Sequence, residues 1–272
     1  MTRMHTAHKP RTIGFCAVLA AGLLFADSSP AQSPDQEPAA GAVPALTVFG
    51  PGEKFTFNIT YGPISAGEAT LEILDVIDFH GRRCYQIESK ANSNRFFSSF
   101  YKVRDRILSY IDVETLQSRY FFKRLREGDY KKTVEVIFDQ DNEKVVYADG
   151  EELPTARGVQ DVLSAFYYVR NLDLEVGREF SVPAHSSRKT YDLKVLIHGR
   201  ETVEVAAGTF NCFVVEPMIE GDGLFKHEGK LTLYITDDKS RIPVMIKTKV
   251  PVGTIDVELK EFRLGQPLSP RP

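Results

Sequence analysis

TIDVELK at residues 254–260 is the clearest strand pattern in this sequence. Ile255, Val257 and Leu259 are apolar, and the residues between them are charged. Because successive side chains of a strand point to opposite faces, this alternation predicts a strand with one buried face and one wet face. Such strands are typical of antiparallel sheets, since strands buried in parallel sheets are apolar throughout.

The same alternation recurs along most of the chain. Its further examples are Phe55/Phe57/Ile59/Tyr61, Ala69/Leu71/Ile73, Val134/Val136/Phe138, Tyr191/Leu193/Val195/Ile197 and Leu231/Leu233/Ile235. Gly, Pro, Asn and Asp separate these runs at short spacing, which indicates about twelve strands. The predicted fold is mainly β: an antiparallel curved sheet or open half barrel, with two packed sheets as the alternative.

One segment has a helical period. Val159, Leu163, Phe166 and Tyr167 follow the spacing i, i+4, i+7, i+8 and predict an amphipathic helix around residues 159–170. Asp161 near its start can cap it, and Arg170 in its last turn can satisfy carbonyls there. We expect the apolar face of this helix to lie on the sheet.

The first 31 residues have the features of a secretory signal peptide. Basic residues precede an apolar run at residues 13–26, and Ser29-Pro30-Ala31 supplies a small-x-small cleavage site. Phe15 before Cys16 does not suit a lipobox, so no lipid anchor is expected. Residues 1–31 are therefore predicted to be a signal peptide of a periplasmic protein.

The rest of the chain divides by composition. Residues 32–51 are rich in Pro, Gly and Ala and predict a disordered tether, and residues 265–272 predict a flexible tail. Residues 52–264 between them are expected to form a single β-rich domain. They contain no apolar run long enough to span a membrane, so no integral membrane segment is expected after processing.

The charge and the histidines exclude several classes of site. Loss of residues 1–31 removes three basic residues and one acidic residue, so the formal net charge falls from −3 to −5. This balance argues against nucleic acid as a partner. His80, His185, His198 and His227 are too far apart in sequence to supply the close ligand pairs of a structural zinc site, and no cofactor or metal is expected.

Two cysteines, Cys84 and Cys212, remain after processing. An oxidising compartment permits a disulfide between them. Each also lies within a strand beside an aromatic residue, where a buried free thiol is an ordinary small apolar side chain. Both interpretations remain open from the sequence.

The aromatic residues are the main candidates for a binding site. The chain has 18 Phe and 11 Tyr but no Trp, and many of them lie between residues 96 and 122. They either fill the core or line an apolar cavity beneath the helix. The basic hairpin that follows either meets anionic groups at the rim of such a cavity or protects a sheet edge from aggregation. The residues predicted to bind a ligand are Phe55, Phe57, Tyr120, Phe122, Lys123, Arg124, Arg126 and Tyr168.

Three segments together resemble a known family. They are DVLSAFYYVR at residues 161–170, AGTFNC at residues 207–212 and the stretch at residues 231–244 with TDDKSRIP. With the early turns at Tyr61-Gly62 and Ala66-Gly67 they resemble the bacterial domain of unknown function 3108 over about residues 53–262. The resemblance implies an exported β-rich protein without an established activity, and it supplies no catalytic residues.

The leading functional hypothesis is a soluble periplasmic binding or chaperone-like module for an amphipathic envelope molecule, a lipid or a glycan. A scaffold protein of the cell envelope with a filled core and a protein partner is the first alternative. A hydrolase or lyase of envelope polysaccharide is the second, and it requires clustered acid and base groups in a cleft.

Overall fold

The computed structural model describes residues 47–219, 231–249 and 253–268. Fourteen strands and one α-helix lie within these ranges. The first eight strands are β1 Lys54–Tyr61, β2 Ile64–Phe79, β3 Arg82–Ser93, β4 Arg104–Asp112, β5 Ser118–Glu127, β6 Tyr130–Asp139, β7 Lys144–Tyr147 and β8 Glu152–Pro154. The helix α1 Val162–Arg170 is followed by β9 Glu179–Ser186, β10 Lys189–Val205, β11 Gly208–Ile219, β12 Leu231–Thr236, β13 Pro243–Lys249 and β14 Thr254–Arg263.

All fourteen strands belong to one antiparallel sheet. Its order is β8-β7-β6-β5-β4-β3-β2-β1-β14-β13-β12-β11-β10-β9, so two meanders join where β1 pairs with β14. Strands β8 and β9 are the two edges, and no ladder joins them among the described residues. The prediction of an antiparallel open sheet is confirmed, and the alternative of two packed sheets is wrong.

The sheet is strongly curved. The hydroxyl of Tyr147 on β7 lies 2.8 Å from Nε2 of His185 on β9, although these strands are near opposite edges of the sheet. Helix α1 contacts both β4 and β9, which are also far apart in the sheet order. An element can touch both only if it lies inside the curve. The helix therefore fills the interior of an incompletely closed barrel.

Helix α1 begins later than its apolar pattern suggests. Asp161 is the N-cap, and its Oδ1 accepts hydrogen bonds from the backbone N–H groups of Leu163 (2.8 Å) and Ser164 (3.0 Å). The preceding Gln160 is extended and forms a bridge with Ala184 of the edge strand β9. The predicted capping role of Asp161 is thus correct, because capping depends on local chemistry.

The packed domain begins earlier than predicted. Phe49, inside the predicted tether at residues 32–51, is only 1% exposed. Its ring packs edge-on against Tyr85 (5.4 Å between centroids) and Tyr167 (4.8 Å). The boundary at residue 51 is therefore wrong, because a single buried ring anchors a segment whose composition is otherwise that of a tether. Residues 1–46, with the predicted signal peptide, lie outside the described residues.

The C-terminal boundary also moves outward. The backbone N–H of Gln266 donates to the carbonyl of Pro51 (3.2 Å), and Leu268 packs against the core. The predicted flexible tail at residues 265–272 is therefore attached to the domain as far as residue 268. The last four residues lie outside the described part of the chain.

Cys84 and Cys212 are buried free thiols, so the disulfide left open by the sequence is not formed. Cys84 lies on β3 and Cys212 on β11, and five strands separate these two in the sheet order. Burial raises the pKa of each thiol to about 12. Both cysteines therefore serve as small apolar core residues.

Candidate functional site

An open groove of about 730 Å³ lies between the two edges of the sheet, among the residues that the structure describes. It forms because β7 is short: β6 pairs with β7 only from Val136 to Asp139. The groove runs beside the part of β6 before Val136, which has no pairing with β7. Its opposite wall is the end of β9 and the turn at residues 186–188.

The floor of the groove is apolar. Phe121 of β5 and Val134, Val136 and Phe138 of β6 line it. These side chains face inward because alternate residues of each strand share one face. These four side chains form the apolar part of the lining, and most of the other lining side chains are polar or charged.

Two hydrogen-bonded side chains close one wall. Nε2 of His185 lies 2.8 Å from the hydroxyl of Tyr147, and Nδ1 lies 2.9 Å from Oγ1 of Thr190. The same Tyr147 hydroxyl accepts a hydrogen bond from the backbone N–H of Arg188 (2.9 Å). Burial lowers the pKa of His185 to about 4 and raises the pKa of Tyr147. The imidazole is therefore neutral at pH 7, and the phenol keeps its proton.

We expect His185 to make the fold sensitive to acid. Its pKa is about 4 when folded and about 6.5 when unfolded. Its stabilising contribution is therefore complete above pH 6.5 and is lost as the pH falls toward 4, by up to about 3 kcal/mol. Urea unfolding at pH 7 and pH 4.5 should show a larger loss of stability for the wild type than for His185→Gln, which keeps hydrogen-bonding groups but does not titrate. Equal losses in both proteins would contradict the burial of a neutral imidazole.

Cationic groups stand at the rim of the groove. Lys123 is 7% exposed and lies two residues from Phe121 on the same inward face of β5. Lys132 and Arg188 also line the groove. The guanidinium of Arg188 lies 4.4 Å from the centre of the Tyr147 ring. Lysine and arginine side chains beside an apolar floor suit a ligand with an acyl part and an anionic part.

The two carboxylates of the groove are engaged in structural contacts. Glu135 accepts a hydrogen bond from the hydroxyl of Tyr120 (3.0 Å), and Asp149 forms an ion pair with Arg188. They are therefore not arranged as an acid and base pair. Within the described residues, no group of three His, Cys, Asp or Glu side chains could hold a metal ion.

Of the eight residues predicted to bind a ligand, the structure places only Lys123 in the groove. Phe55 and Phe57 are fully buried in the core. Tyr120 and Phe122 lie on the outer face of β5, where Tyr120 stacks on Tyr110 at 4.7 Å. These two predicted residues thus lie on the face opposite the groove, because alternation shows that a strand has two faces but not which of them is enclosed.

The other three predicted residues also lie outside the groove. Arg124 and Arg126 are exposed on the outer face of β5. Tyr168 is half-buried on α1, where it packs against both apolar clusters of the interior. Helix α1 is thus packed into the interior and contributes no residue to the groove lining.

Sequence reasoning missed a second buried polar site. Arg170 is fully buried and forms two hydrogen bonds of 2.8 Å with the carboxylate of Glu53. The rings of Phe49, Phe55 and Tyr167 surround its guanidinium at 5.0–5.5 Å. Arg170 does not serve the last turn of α1 as predicted. Its partner lies 117 residues away, and no local pattern indicates that pairing.

A family model described as "Protein of unknown function (DUF3108)" matches residues 56–260. The chain belongs to the DUF3108 family. The resemblance drawn from residues 161–170, 207–212 and 231–244 is therefore confirmed. No curated protein matches this DUF3108 protein.

Solved structures similar to this DUF3108 protein are also β-rich. A β-barrel-like protein of the DUF1849 family from Brucella abortus matches with a TM-score of 0.54 and 8% identity, over 79% of this chain and 98% of that chain. At this identity the likeness concerns the fold alone. A DUF1089 family protein from Pseudomonas aeruginosa has a TM-score of 0.40 and 12% identity, over 70% of this chain and 91% of that chain. Among the described residues of the DUF3108 protein, no helix is both long and apolar enough to cross a bilayer.

Proposed function

We propose that this DUF3108 protein is a periplasmic binding or chaperone-like module for an amphipathic envelope molecule, a lipid or an acyl-bearing glycan with an anionic group. The observation that carries this proposal is the groove of about 730 Å³ with an apolar floor and Lys123 at its side. The predicted signal peptide at residues 1–31 and the periplasmic location form part of the same proposal.

The groove favours binding over catalysis. The groove combines a small apolar floor with walls of polar and charged side chains, and this combination suits an amphipathic ligand. Hydrolysis or elimination would require a positioned acid and base. Here Glu135 accepts a hydrogen bond from Tyr120, and Asp149 forms an ion pair with Arg188. Tyr147 and His185 are hydrogen-bonded to each other.

The proposal is tested with a fluorescent long-chain fatty acid as the probe. Lys123→Met keeps the length of the side chain but removes the charge, so the Kd should rise about tenfold or more, as expected for loss of a hydrogen bond to a charged group. Lys239→Met changes an exposed lysine in a turn outside the groove and should leave the Kd unchanged. Fluorescence titration measures the Kd of the fatty acid for the wild type and for both variants.

An uncharged probe provides the second control. A long-chain alcohol of the same length should bind the wild type and Lys123→Met equally, because it uses only the apolar floor. Val134→Trp should block both probes by filling the groove. No binding of either probe by the wild type would refute the proposal, as would equal fatty-acid affinity in the wild type and Lys123→Met.

A further inference from the structure

The loop at residues 94–103 exposes two aromatic rings to solvent. Phe96 is 67% exposed and Phe100 is 61% exposed, the highest values of any large apolar side chain among the described residues. Their rings contact each other edge-on, with centroids 5.6 Å apart. The loop therefore presents a paired aromatic surface that the rest of the domain leaves uncovered.

This loop is held in place by hydrogen bonds. Oδ1 of Asn94 accepts from the backbone N–H of Phe97 (2.8 Å), and its Nδ2 donates to the carbonyl of Ser65 (2.7 Å). The hydroxyls of Ser93 and Ser98 lie 2.6 Å apart. The exposure of the rings is thus a property of a built turn.

The loop lies at one end of the sheet, which we call the basic end. It comprises the turns at residues 62–63, 128–129 and 187–188 and the loop at residues 94–103, which the antiparallel pairing brings to the same end. The backbone N–H of Gly128 donates to the carbonyl of Lys102 (2.8 Å), so two of these connections touch. Ile64 and Tyr130 at this end are also exposed, by 43% and 40%.

Cationic side chains surround these apolar groups. Those exposed at the basic end are Arg95, Lys102, Arg104, Arg126, Lys131 and Lys132. None of Arg95, Lys102, Lys131 and Lys132 forms an ion pair with a residue that the structure describes. The turns at the opposite end carry the acidic residues Glu114, Asp141, Glu143, Asp237 and Asp238 together with the basic residues Lys239 and Arg241. An acidic protein therefore carries six exposed cations, with Asp129 as an exposed acidic residue among them, at the end that holds its exposed aromatic rings.

We propose that the basic end docks on the surface of an anionic lipid bilayer. Aromatic rings partition into the boundary between headgroups and acyl chains, and lysine and arginine side chains beside them attract anionic lipids. An exposed apolar patch with a basic rim has this combination. The pattern favours a membrane over a protein partner because exposed cations from the loop at residues 94–103 and from the hairpin at residues 126–132 share one end of the sheet with the two exposed rings.

The binding groove opens beside the same end. Lys132, Ser187 and Arg188 line the groove and belong to, or adjoin, the turns of the basic end. Docking would therefore place the groove mouth near the lipid surface. The docking itself does not depend on what the groove binds.

The test is a flotation assay with vesicles of phosphatidylcholine alone or mixed with phosphatidylglycerol. It uses the protein as cells produce it, with its N-terminus defined by mass spectrometry. The wild type should bind the anionic vesicles, and binding should fall steeply between 0.05 and 0.5 M salt, as screening predicts. Phe96→Ser/Phe100→Ser should weaken binding by at least about tenfold, since both rings leave the interface.

A matched control is Val176→Ser, which changes a side chain exposed by 48% away from the basic end and should bind as the wild type does. Lys131→Gln/Lys132→Gln should lose anionic selectivity while urea unfolding stays unchanged. Equal binding to both kinds of vesicle, or full binding by Phe96→Ser/Phe100→Ser, would overturn the proposal. A third result would also overturn the proposal. It is that the wild type sediments as a dimer, that Phe96→Ser/Phe100→Ser sediments as a monomer, and that neither of these two proteins binds vesicles.

Discussion

Arg170→Met is expected to lower the free energy of unfolding by about 3–5 kcal/mol, because it leaves the Glu53 carboxylate buried without a counter-charge. Both side chains are at most 1% exposed, and their two hydrogen bonds measure 2.8 Å. Nε of Arg170 also donates to the carbonyl of Arg241 (2.9 Å). Urea unfolding at pH 7 measures the change.

A double-mutant cycle separates the pair from its surroundings. Glu53→Met/Arg170→Met removes both charges, so it should cost less than the sum of the two single changes. Arg178→Met is the matched control, since Arg178 is 45% exposed and pairs with Asp173 at 3.4 Å. It should change stability by less than about 0.5 kcal/mol. Additive single changes, or a cost near that of the control for Arg170→Met, would contradict a coupled buried pair.

Asp161→Ala is expected to cost about 3–4 kcal/mol, the second largest effect. Asp161 is 1% exposed and caps α1 through Oδ1. Its Oδ2 also accepts hydrogen bonds from the hydroxyls of Ser109 (2.6 Å) and Ser118 (2.5 Å). Alanine removes the cap, which costs about 1 kcal/mol, and leaves the hydroxyls of Ser109 and Ser118 without this acceptor, which costs about 1–1.5 kcal/mol each because a hydroxyl can rotate toward another acceptor. Thermal and urea unfolding measure the change.

The control for Asp161→Ala removes the two hydroxyls that lose their acceptor, those of Ser109 and Ser118. The triple variant Ser109→Ala/Ser118→Ala/Asp161→Ala should lose less unfolding free energy than the three single variants lose in total, because no hydroxyl is then left without an acceptor. Asp192→Ala replaces an exposed carboxylate and should have an effect within about 0.5 kcal/mol. A small effect of Asp161→Ala, similar to that of Asp192→Ala, would show that the network does not hold the helix to β4 and β5.

One of the residues predicted from the sequence to bind a ligand lies in the groove. Lys123 was selected from a basic run, and it does line the groove, but its neighbours Tyr120 and Phe122 do not. The floor residues Val134, Val136 and Phe138 were recognised as a strand face and not as a site. His185 was considered only as a metal ligand, because nothing near it in sequence indicates Tyr147 as its partner.

The antiparallel strands, the helix and its Asp161 cap follow from local sequence patterns, because side-chain alternation and capping depend on residues a few positions apart. The tertiary structure alone decided which face of β5 is enclosed, that Arg170 meets Glu53, and that a groove opens where β6 extends past β7. These features depend on how fourteen strands curve together. That curvature brings together residues that are distant in the chain, and no single segment encodes it.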